Sequence, residues 1–165
     1  MTATLVAPAL DTLPPDAPTV TVASDLLGAI ELPADALYTF PAGLYGFDAA
    51  TRWALVPAGR EGLCWLQSAE RAGLVFLLAD PFHFFPAYEA ELPDDELAKL
   101  GLTPGARPGV LAIVTLPGTP AAGAAAGAAS VNLRAPIVLD PDARRGRQIV
   151  LLDERLSVRE PLALG

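Results

Sequence analysis

Short apolar runs, separated by glycine and proline, dominate the chain after residue 18. Five of them are rich in valine, isoleucine, threonine or aromatic residues, as strands are. They are residues 19–23, 37–40, 53–56, 63–67 and 73–79. The intervals between them are too short to hold a crossover helix, so neighbouring strands should pair mostly antiparallel.

The second half of the chain repeats this pattern after one short helix. Residues 93–100 begin with proline and three acidic residues, which favour a helix N-terminus, and Gly101 can end the helix. Four further strands are predicted, at residues 110–116, 131–134, 137–139 and 148–152. About nine strands with little helix predict a mainly β fold, a small barrel-like antiparallel β domain with one or two short helices.

The domain organisation follows from composition. Residues 1–18 are rich in alanine, proline and threonine without periodicity, so they are predicted to be a flexible N-terminal extension. Residues 19–161 form the predicted β-barrel domain, and residues 162–165 are a C-terminal tail. Residues 117–129 are nearly all alanine, glycine, proline and threonine, which indicates a flexible surface loop.

Length and charge limit the classes of function. The chain has 165 residues with 19 acidic and 11 basic side chains, and its net charge is -8. This balance repels a phosphate backbone, so direct nucleic-acid binding is not expected. Residues 61–100 hold 8 acidic and 2 basic residues. The acidic middle of the chain therefore favours a basic protein partner.

The expected cellular location follows from features that the sequence lacks. Cys64 is the only cysteine, so no intramolecular disulfide can form, and a cytoplasmic location fits. Residues 1–13 contain no lysine or arginine, which disfavours an export signal. No uninterrupted apolar run reaches the roughly 20 residues that span a bilayer, so no membrane contact is expected.

The residues offer little catalytic chemistry. His83 is the only histidine and is flanked by phenylalanines, which predicts a packing or hydrogen-bonding role. Cys64 lies between Leu63 and Trp65 and is predicted to pack as a small hydrophobe. We expect no catalytic site, no metal site and no cofactor, and therefore no enzyme.

Three arginines near the C-terminus form the main basic cluster. Arg144, Arg145 and Arg147 surround Gly146 between two predicted strands. They are predicted to lie at a solvated hairpin tip, with contact to an anion as the alternative.

Four segments in order resemble the FliW family of bacterial flagellar assembly factors. Residues 38–47 read YTFPAGLYGF, residues 73–88 GLVFLLADPFHFFPAY, residues 131–138 VNLRAPIV and residues 146–151 GRQIVL. The similarity covers residues 19–161. The resemblance implies a barrel-like protein without catalysis that binds the translational regulator CsrA and, alternatively, flagellin. It also implies that export of flagellin frees the protein, which then binds CsrA and relieves the repression of flagellin translation.

The resemblance and the charge pattern together suggest two binding surfaces. The acidic stretch is a candidate for the regulator-facing surface, the alternative being an ordinary solvated face: Glu89, Glu91, Asp94, Asp95 and Glu96. A hydrophobic groove for an amphipathic flagellin helix is expected from five apolar candidates, which could equally be core: Leu44, Tyr45, Phe47, Phe82 and Phe84. We expect a monomer.

Two other classes of function stay open. A small-molecule or carbohydrate-binding β-barrel would need an interior cavity with polar groups among aromatics. An enzyme using Asp80 and His83 would need both side chains to converge in an open cleft.

Overall fold

The structure, a computed structural model, describes residues 18–103, 107–116 and 129–163. These ranges form eleven strands, two short α-helices and a 3-10 turn at Ala34–Ala36. The strands are β1 Thr19–Ser24, β2 Gly28–Pro33, β3 Tyr38–Thr39, β4 Arg52–Pro57, β5 Leu63–Ser68, β6 Val75–Ala79, β7 Gly109–Thr115, β8 Ala129–Val131, β9 Ile137–Asp140, β10 Arg145–Gln148 and β11 Glu160–Leu162. The helices are α1 Pro81–Phe84 and α2 Asp94–Lys99.

Seven of the described strands close into a barrel. Their order is β7-β6-β5-β4-β3-β10-β9, and β9 pairs again with β7. All these pairs are antiparallel except β3 with β10, which meet in parallel at Thr39 and Arg145. The second half of β7 pairs instead with β8, and β11 follows β8 outward. The predicted mainly β, barrel-like fold is confirmed.

Side-chain alternation along β4 explains how the barrel buries both faces of its wall. Trp53 and Leu55 point into the barrel interior, whereas Ala54 contacts the layer outside. The interior is filled by large apolar side chains, among them Tyr38 and Phe40. The indole Nε1 of Trp53 donates to the Ala50 carbonyl at 2.9 Å, so its one polar group is satisfied.

The β1–β2 hairpin covers the outside of β4. Thr19 pairs with Pro33 and Ser24 with Gly28, which gives a fully paired two-stranded ribbon. Val22 and Leu32 pack against Ala54, together with Leu37 at the end of the 3-10 turn. A separate hairpin of this size is marginal alone, and its packing on the barrel gives it a buried face.

The segment after β6 covers a second outer face. The Asp80 carboxylate accepts a hydrogen bond from the Phe82 N–H at 2.9 Å, and Pro81 begins α1. Tyr88 then lies buried, with its hydroxyl donating to the Leu133 carbonyl at 2.8 Å. Burial raises the pKa of Tyr88 to about 12. The segment is thereby fixed against the β7–β8 side of the barrel.

Helix α2 covers the third outer face. Leu97 and Leu100 pack against Val138 of β9 and against Ile149 and Leu151. Pro93 and Leu100 lie at the two caps, so the predicted helix at 93–100 is confirmed with slightly shorter bounds.

Two predicted strands end differently in the structure, each for a local reason. The strand predicted at 131–134 ends at Val131, since the Asn132 side-chain oxygen accepts from the N–H groups of Arg134 and Ala135 and turns the chain. The strand predicted at 148–152 is wrong: β10 ends at Gln148. Ile149 N–H still donates to the Pro136 carbonyl, but proline has no N–H to return the bond.

Several elements were not predicted. They are β2, β11 and α1. Gly28 and Pro33, read from sequence as turns, are the two ends of β2. The predicted extension lies outside the described residues apart from Pro18, and so do residues 117–128 of the predicted loop; Ala129 already belongs to β8.

The arginine cluster was predicted at a hairpin tip, and that prediction is wrong for Arg145 and Arg147. Both belong to β10, so their side chains share one face of the strand. Arg144 precedes the strand at φ 52°, and its guanidinium lies over the Tyr38 ring at 5.4 Å and bonds to the Tyr38 hydroxyl. The turn between β9 and β10 lies upstream of these two residues.

We expect Gly146→Ala to destabilise the barrel by about 2–3 kcal/mol through overpacking. A Cβ at this position would overlap the ring of buried Phe40 and lie 2.8 Å from Leu139 Cδ2. Urea unfolding measures the effect, with Gly73→Ala as the control, since a Cβ there meets only the Asp25 carboxylate at 3.1 Å. Equal stability of the two variants would contradict the packing described here.

Candidate protein-binding surface

The acidic stretch lies on the surface before and along the first turn of α2. Glu89 and Glu91 are exposed in the segment that leads to the helix. Asp94 and Asp95 are exposed in its first turn, where carboxylates interact favourably with the helix dipole. Four of the five acidic candidates are therefore exposed to solvent, and Glu91 and Asp94 lie at the same groove.

Glu96 differs from its acidic neighbours because it is engaged within the protein. Its carboxylate accepts from Arg147 Nε at 2.6 Å and from Lys99 Nζ at 3.0 Å. The hydrogen bond from Arg147, followed by that from Lys99, lowers the pKa of Glu96. Glu96 thus fixes α2 to β10, and the structure assigns it a positioning role in the fold.

A tight turn presents Tyr45 to solvent. Leu44 N–H donates to the Phe47 carbonyl at 3.3 Å, and Phe47 N–H donates to the Leu44 carbonyl at 2.7 Å. Gly46 has φ 87°, which a side chain would strain. Tyr45 N–H also donates to Gln148 Oε1 at 3.1 Å, and the residue is 61% exposed. Tyr45 is an aromatic side chain displayed on a well-fixed backbone.

The other apolar candidates contact the protein itself. Leu44 is 2% exposed in the barrel core, so the structure places it where no partner reaches it. Phe47 packs edge-on against Phe76, with ring centroids 5.5 Å apart. Phe82 and Phe84 are half-buried in the cluster outside β7. These four candidates are split between two core clusters and Tyr45 is exposed, so the five do not line one groove.

Asp80 and His83 do not form a catalytic pair in the described residues. The Asp80 carboxylate caps α1, and His83 bonds to Asp80 through the backbone, its N–H donating to the Asp80 carbonyl at 3.1 Å. The His83 ring packs edge-on against Phe84 with 4.8 Å between ring centroids, as the predicted packing role requires, although the residue is exposed to solvent.

Cys64 has the environment predicted for it. Its side chain packs with the barrel core. Burial, with a smaller contribution from the Asp80 charge, raises the pKa of the thiol to about 12. A thiol with this pKa carries almost no thiolate near neutral pH and is a weak nucleophile.

Two exposed apolar side chains near the C-terminus were missed by sequence reasoning. Val150 is 47% exposed and Leu152 is 84% exposed. The run Ile149-Val150-Leu151-Leu152 belongs to the strand predicted at residues 148–152. Pro136 on the neighbouring segment, together with Asp153 directly after the run, was the signal that regular pairing would end there.

Neither metal nor membrane chemistry is visible in the described ranges. No three His, Cys, Asp or Glu side chains converge there as metal ligands would. Neither described helix has the length and apolar character needed to cross a bilayer.

Side chains fill the barrel interior, and the exposed carboxylates and Tyr45 lie outside it. These features define a small, filled β-barrel whose exposed carboxylates and exposed tyrosine lie on its outer surface. The profile of the FliW family, described as "FliW protein", matches residues 21–162. The chain belongs to the FliW family of flagellar assembly factors.

Similar proteins cover nearly the whole barrel. The flagellar assembly factor FliW of Symbiobacterium thermophilum is 37% identical over 133 residues, which are 79% of this chain and 92% of that protein. The corresponding protein of Natranaerobius thermophilus is 34% identical over 142 residues, 86% of this chain and 91% of that protein. A crystal structure of the flagellar assembly factor FliW superposes with a TM-score of 0.74 at 27% identity, covering 86% of this chain and 96% of that one.

Replacing Glu96 by Gln should cost about 0.5 kcal/mol at pH 7, a small effect because the ion pairs are partly solvent-screened. Since the folded-state pKa of Glu96 lies below its ordinary value of 4.5, this stabilisation is present above pH 4.5 and is lost as pH falls through the lower folded value. Urea unfolding of both proteins between pH 3 and 7 measures the difference. A difference in the free energy of unfolding that does not shrink at low pH would contradict the positioning role of Glu96. An equal loss of stability in the exposed control Glu31→Gln would contradict it as well.

Cys64 should react with an aromatic disulfide reagent at pH 8 at least about 100-fold more slowly in the native protein than in urea. The reason is that the pKa near 12 belongs to the folded state only, and unfolding returns the thiol towards 9.0. Absorbance of the released thiolate follows the reaction, with a cysteine peptide in the same buffers as the control. Native and unfolded rates within a few-fold of each other would show that the thiol is accessible.

Proposed function

We propose that this chain is a non-catalytic cytoplasmic adaptor of flagellar assembly that binds the RNA-binding regulator CsrA and, in alternation, flagellin. While flagellin occupies the adaptor, CsrA is free to repress flagellin translation. When flagellin is exported, the free adaptor binds CsrA and relieves the repression. The adaptor thereby reports the supply of unassembled flagellin and shields it as a chaperone does.

Membership of the FliW family, over 142 residues of the barrel, is the observation that carries this proposal. The relatives from Symbiobacterium and Natranaerobius are named for flagellar assembly, and they match this chain over about nine-tenths of their own length. The matched region contains both the acidic stretch and the Tyr45 turn. Both candidate surfaces therefore lie in the part of the chain that matches the family.

Electrostatics supports the choice of a basic partner. The net charge is -8, and Glu89, Glu91, Asp94 and Asp95 are exposed within seven residues of chain. An RNA-binding protein must carry basic surface to neutralise phosphates. Opposite charges on the two proteins raise the association rate and favour this partner over acidic ones. Glu96 contributes less, because its carboxylate is already paired with Arg147 and Lys99.

The Tyr45 turn supports a second contact surface. Flagellin's terminal segments become helical when packed, and an amphipathic helix needs exposed apolar or aromatic anchors. Of the five apolar candidates, Tyr45 has the exposure and the fixed backbone that such an anchor needs. We assign Tyr45 to the flagellin-binding surface. Phe82 and Phe84 are partly accessible, and they pack on the separate core cluster outside β7.

The filled barrel disfavours the alternative of a small-molecule or carbohydrate carrier. Such a carrier needs a cavity lined with polar groups, whereas the described interior is packed with Trp53, Phe40, Leu66 and similar side chains. No observation in the described residues favours that second function. The adaptor is proposed to act as a monomer.

Calorimetric titration with purified CsrA and purified flagellin, first separately and then in competition, tests the proposal. We expect a complex with each protein, and displacement of CsrA when flagellin is added. Tyr45→Ala should weaken flagellin binding by about tenfold, as loss of an aromatic anchor does. Leu26→Ala, a change at an equally exposed residue, serves as the control.

The outcomes separate the parts of the proposal. Absence of both complexes would overturn it. A stable ternary complex would overturn the alternation while leaving both partners in place. An unchanged flagellin affinity in Tyr45→Ala would remove Tyr45 from the surface.

A further inference from the structure

A groove runs between the segment that enters α2 and the segment that follows β10. It has a volume of about 350 Å³. Its apolar lining comes from Leu92, Pro93, Leu151 and Leu152, and its rim carries the carboxylates of Glu91, Asp94 and Asp153. The two walls belong to different parts of the chain and are held together by the packing of Leu92 against the cluster of Leu151 and Leu97.

One wall of the groove presents peptide groups without partners. Ile149 N–H donates to the Pro136 carbonyl at 3.0 Å, and Leu151 N–H donates to the Arg134 carbonyl at 2.7 Å. In an extended chain, successive N–H groups point to opposite edges, so those of Val150 and Leu152 point away from this neighbour. Within the described residues neither of these two N–H groups reaches an acceptor. Residues 149–152 are therefore a short free edge.

The side chains on this edge are apolar on both faces, although only one face is buried. Ile149 and Leu151 are buried against α2, while Val150 and Leu152 point to the opposite face and are 47% and 84% exposed. An isolated exposed leucine is common, but two exposed apolar side chains on a free edge next to a groove form a surface that a strand could cover.

The charge around the groove selects the occupant. Two arginines oppose the three rim carboxylates. The Arg155 guanidinium binds Asp153 through Nε at 3.0 Å and Nη2 at 2.9 Å. Arg134, whose Nε donates to the Leu151 carbonyl at 3.4 Å, acts electrostatically on Asp153. Glu89 and Glu91 are close enough to act electrostatically on Arg155 as well. The rim therefore keeps an excess of negative charge, although the Arg155 guanidinium already pairs with Asp153. Lysine or arginine side chains are the complementary groups.

We propose that residues 149–152 and the adjoining groove bind an extended segment of the basic, RNA-binding partner by strand addition. The segment pairs its backbone with the N–H groups of Val150 and Leu152. Its side chains alternate: apolar residues cover Val150 and Leu152, and basic residues on the other face contact Glu91, Asp94 and Asp153. This inference rests on the proposed function for the partner and specifies where and in what conformation it binds.

Amide hydrogen exchange in the complex with purified CsrA tests the backbone pairing. The Val150 and Leu152 N–H groups should exchange rapidly in the free protein and at least about tenfold more slowly in the complex, because strand pairing protects them. The exposed β1–β2 turn around Leu26 is the internal control and should exchange alike in both states. Unchanged exchange at Val150 and Leu152 in a saturated complex would overturn strand addition.

Variants with opposite expected signs test the side-chain contacts. Leu152→Ala should weaken CsrA binding by about tenfold through lost apolar burial, and the exposed leucine control Leu26→Ala should not. Glu91→Gln combined with Asp94→Asn should weaken binding at low salt. Arg155→Gln should strengthen it, because the rim loses its competing cation. Circular dichroism confirms that each variant is folded.

The result also separates this inference from the function on which it rests. No binding of CsrA by the unmodified protein would overturn both. Binding with the same affinity in the unmodified protein and in all the groove variants would overturn the groove alone. Weaker binding in Arg155→Gln would overturn the proposed charge selection.

Discussion

The structure depends on the ability of β7 to pair along both edges at once. Its middle and C-terminal residues pair with β6 on one edge, and its other edge is shared between β9 at Gly109–Leu111 and β8 at Val114–Thr115. Pairing with β9 closes the seven-stranded barrel, and pairing with β8 leads the chain outward to β11. Closure removes the open edges of the barrel sheet and buries its inner face, while the β1–β2 hairpin, the segment after β6 and α2 cover parts of its outer face.

The layers outside the barrel determine where acidic and apolar side chains lie on the surface. The Asp80 cap and the Tyr88 hydrogen bond fix the segment after β6, and that segment continues directly into the acidic stretch and α2. Glu96 then ties α2 to Arg147 of β10, which positions the helix beside residues 149–152. Carboxylates from residues 89–95 and apolar residues from 150–152 thereby come to neighbouring positions, although about 60 residues of chain separate them.

Sequence alone predicted what depends on local pattern. The short apolar runs between glycines and prolines were sufficient to predict β4 to β7, and the proline and acidic residues were sufficient for α2. The charge excess in residues 61–100 indicated the acidic stretch. The sequence did not predict features that depend on a neighbouring segment or on a residue far away in the chain. Whether Ile149–Leu152 is a buried strand or a free edge is decided by Pro136, and whether Glu96 faces solvent is decided by Arg147, 51 residues later. The resemblance identified the family, but burial separated Leu44 from Tyr45 within one short motif.

We propose that the acidic outer surface of this FliW-family protein binds a basic RNA-binding partner. The dissociation constant of the complex with CsrA, measured at salt concentrations from about 50 mM to 500 mM, tests this binding most directly. The affinity should fall continuously and by more than about tenfold over this range, because salt screens the opposite charges. An affinity that does not change with salt would contradict electrostatic binding.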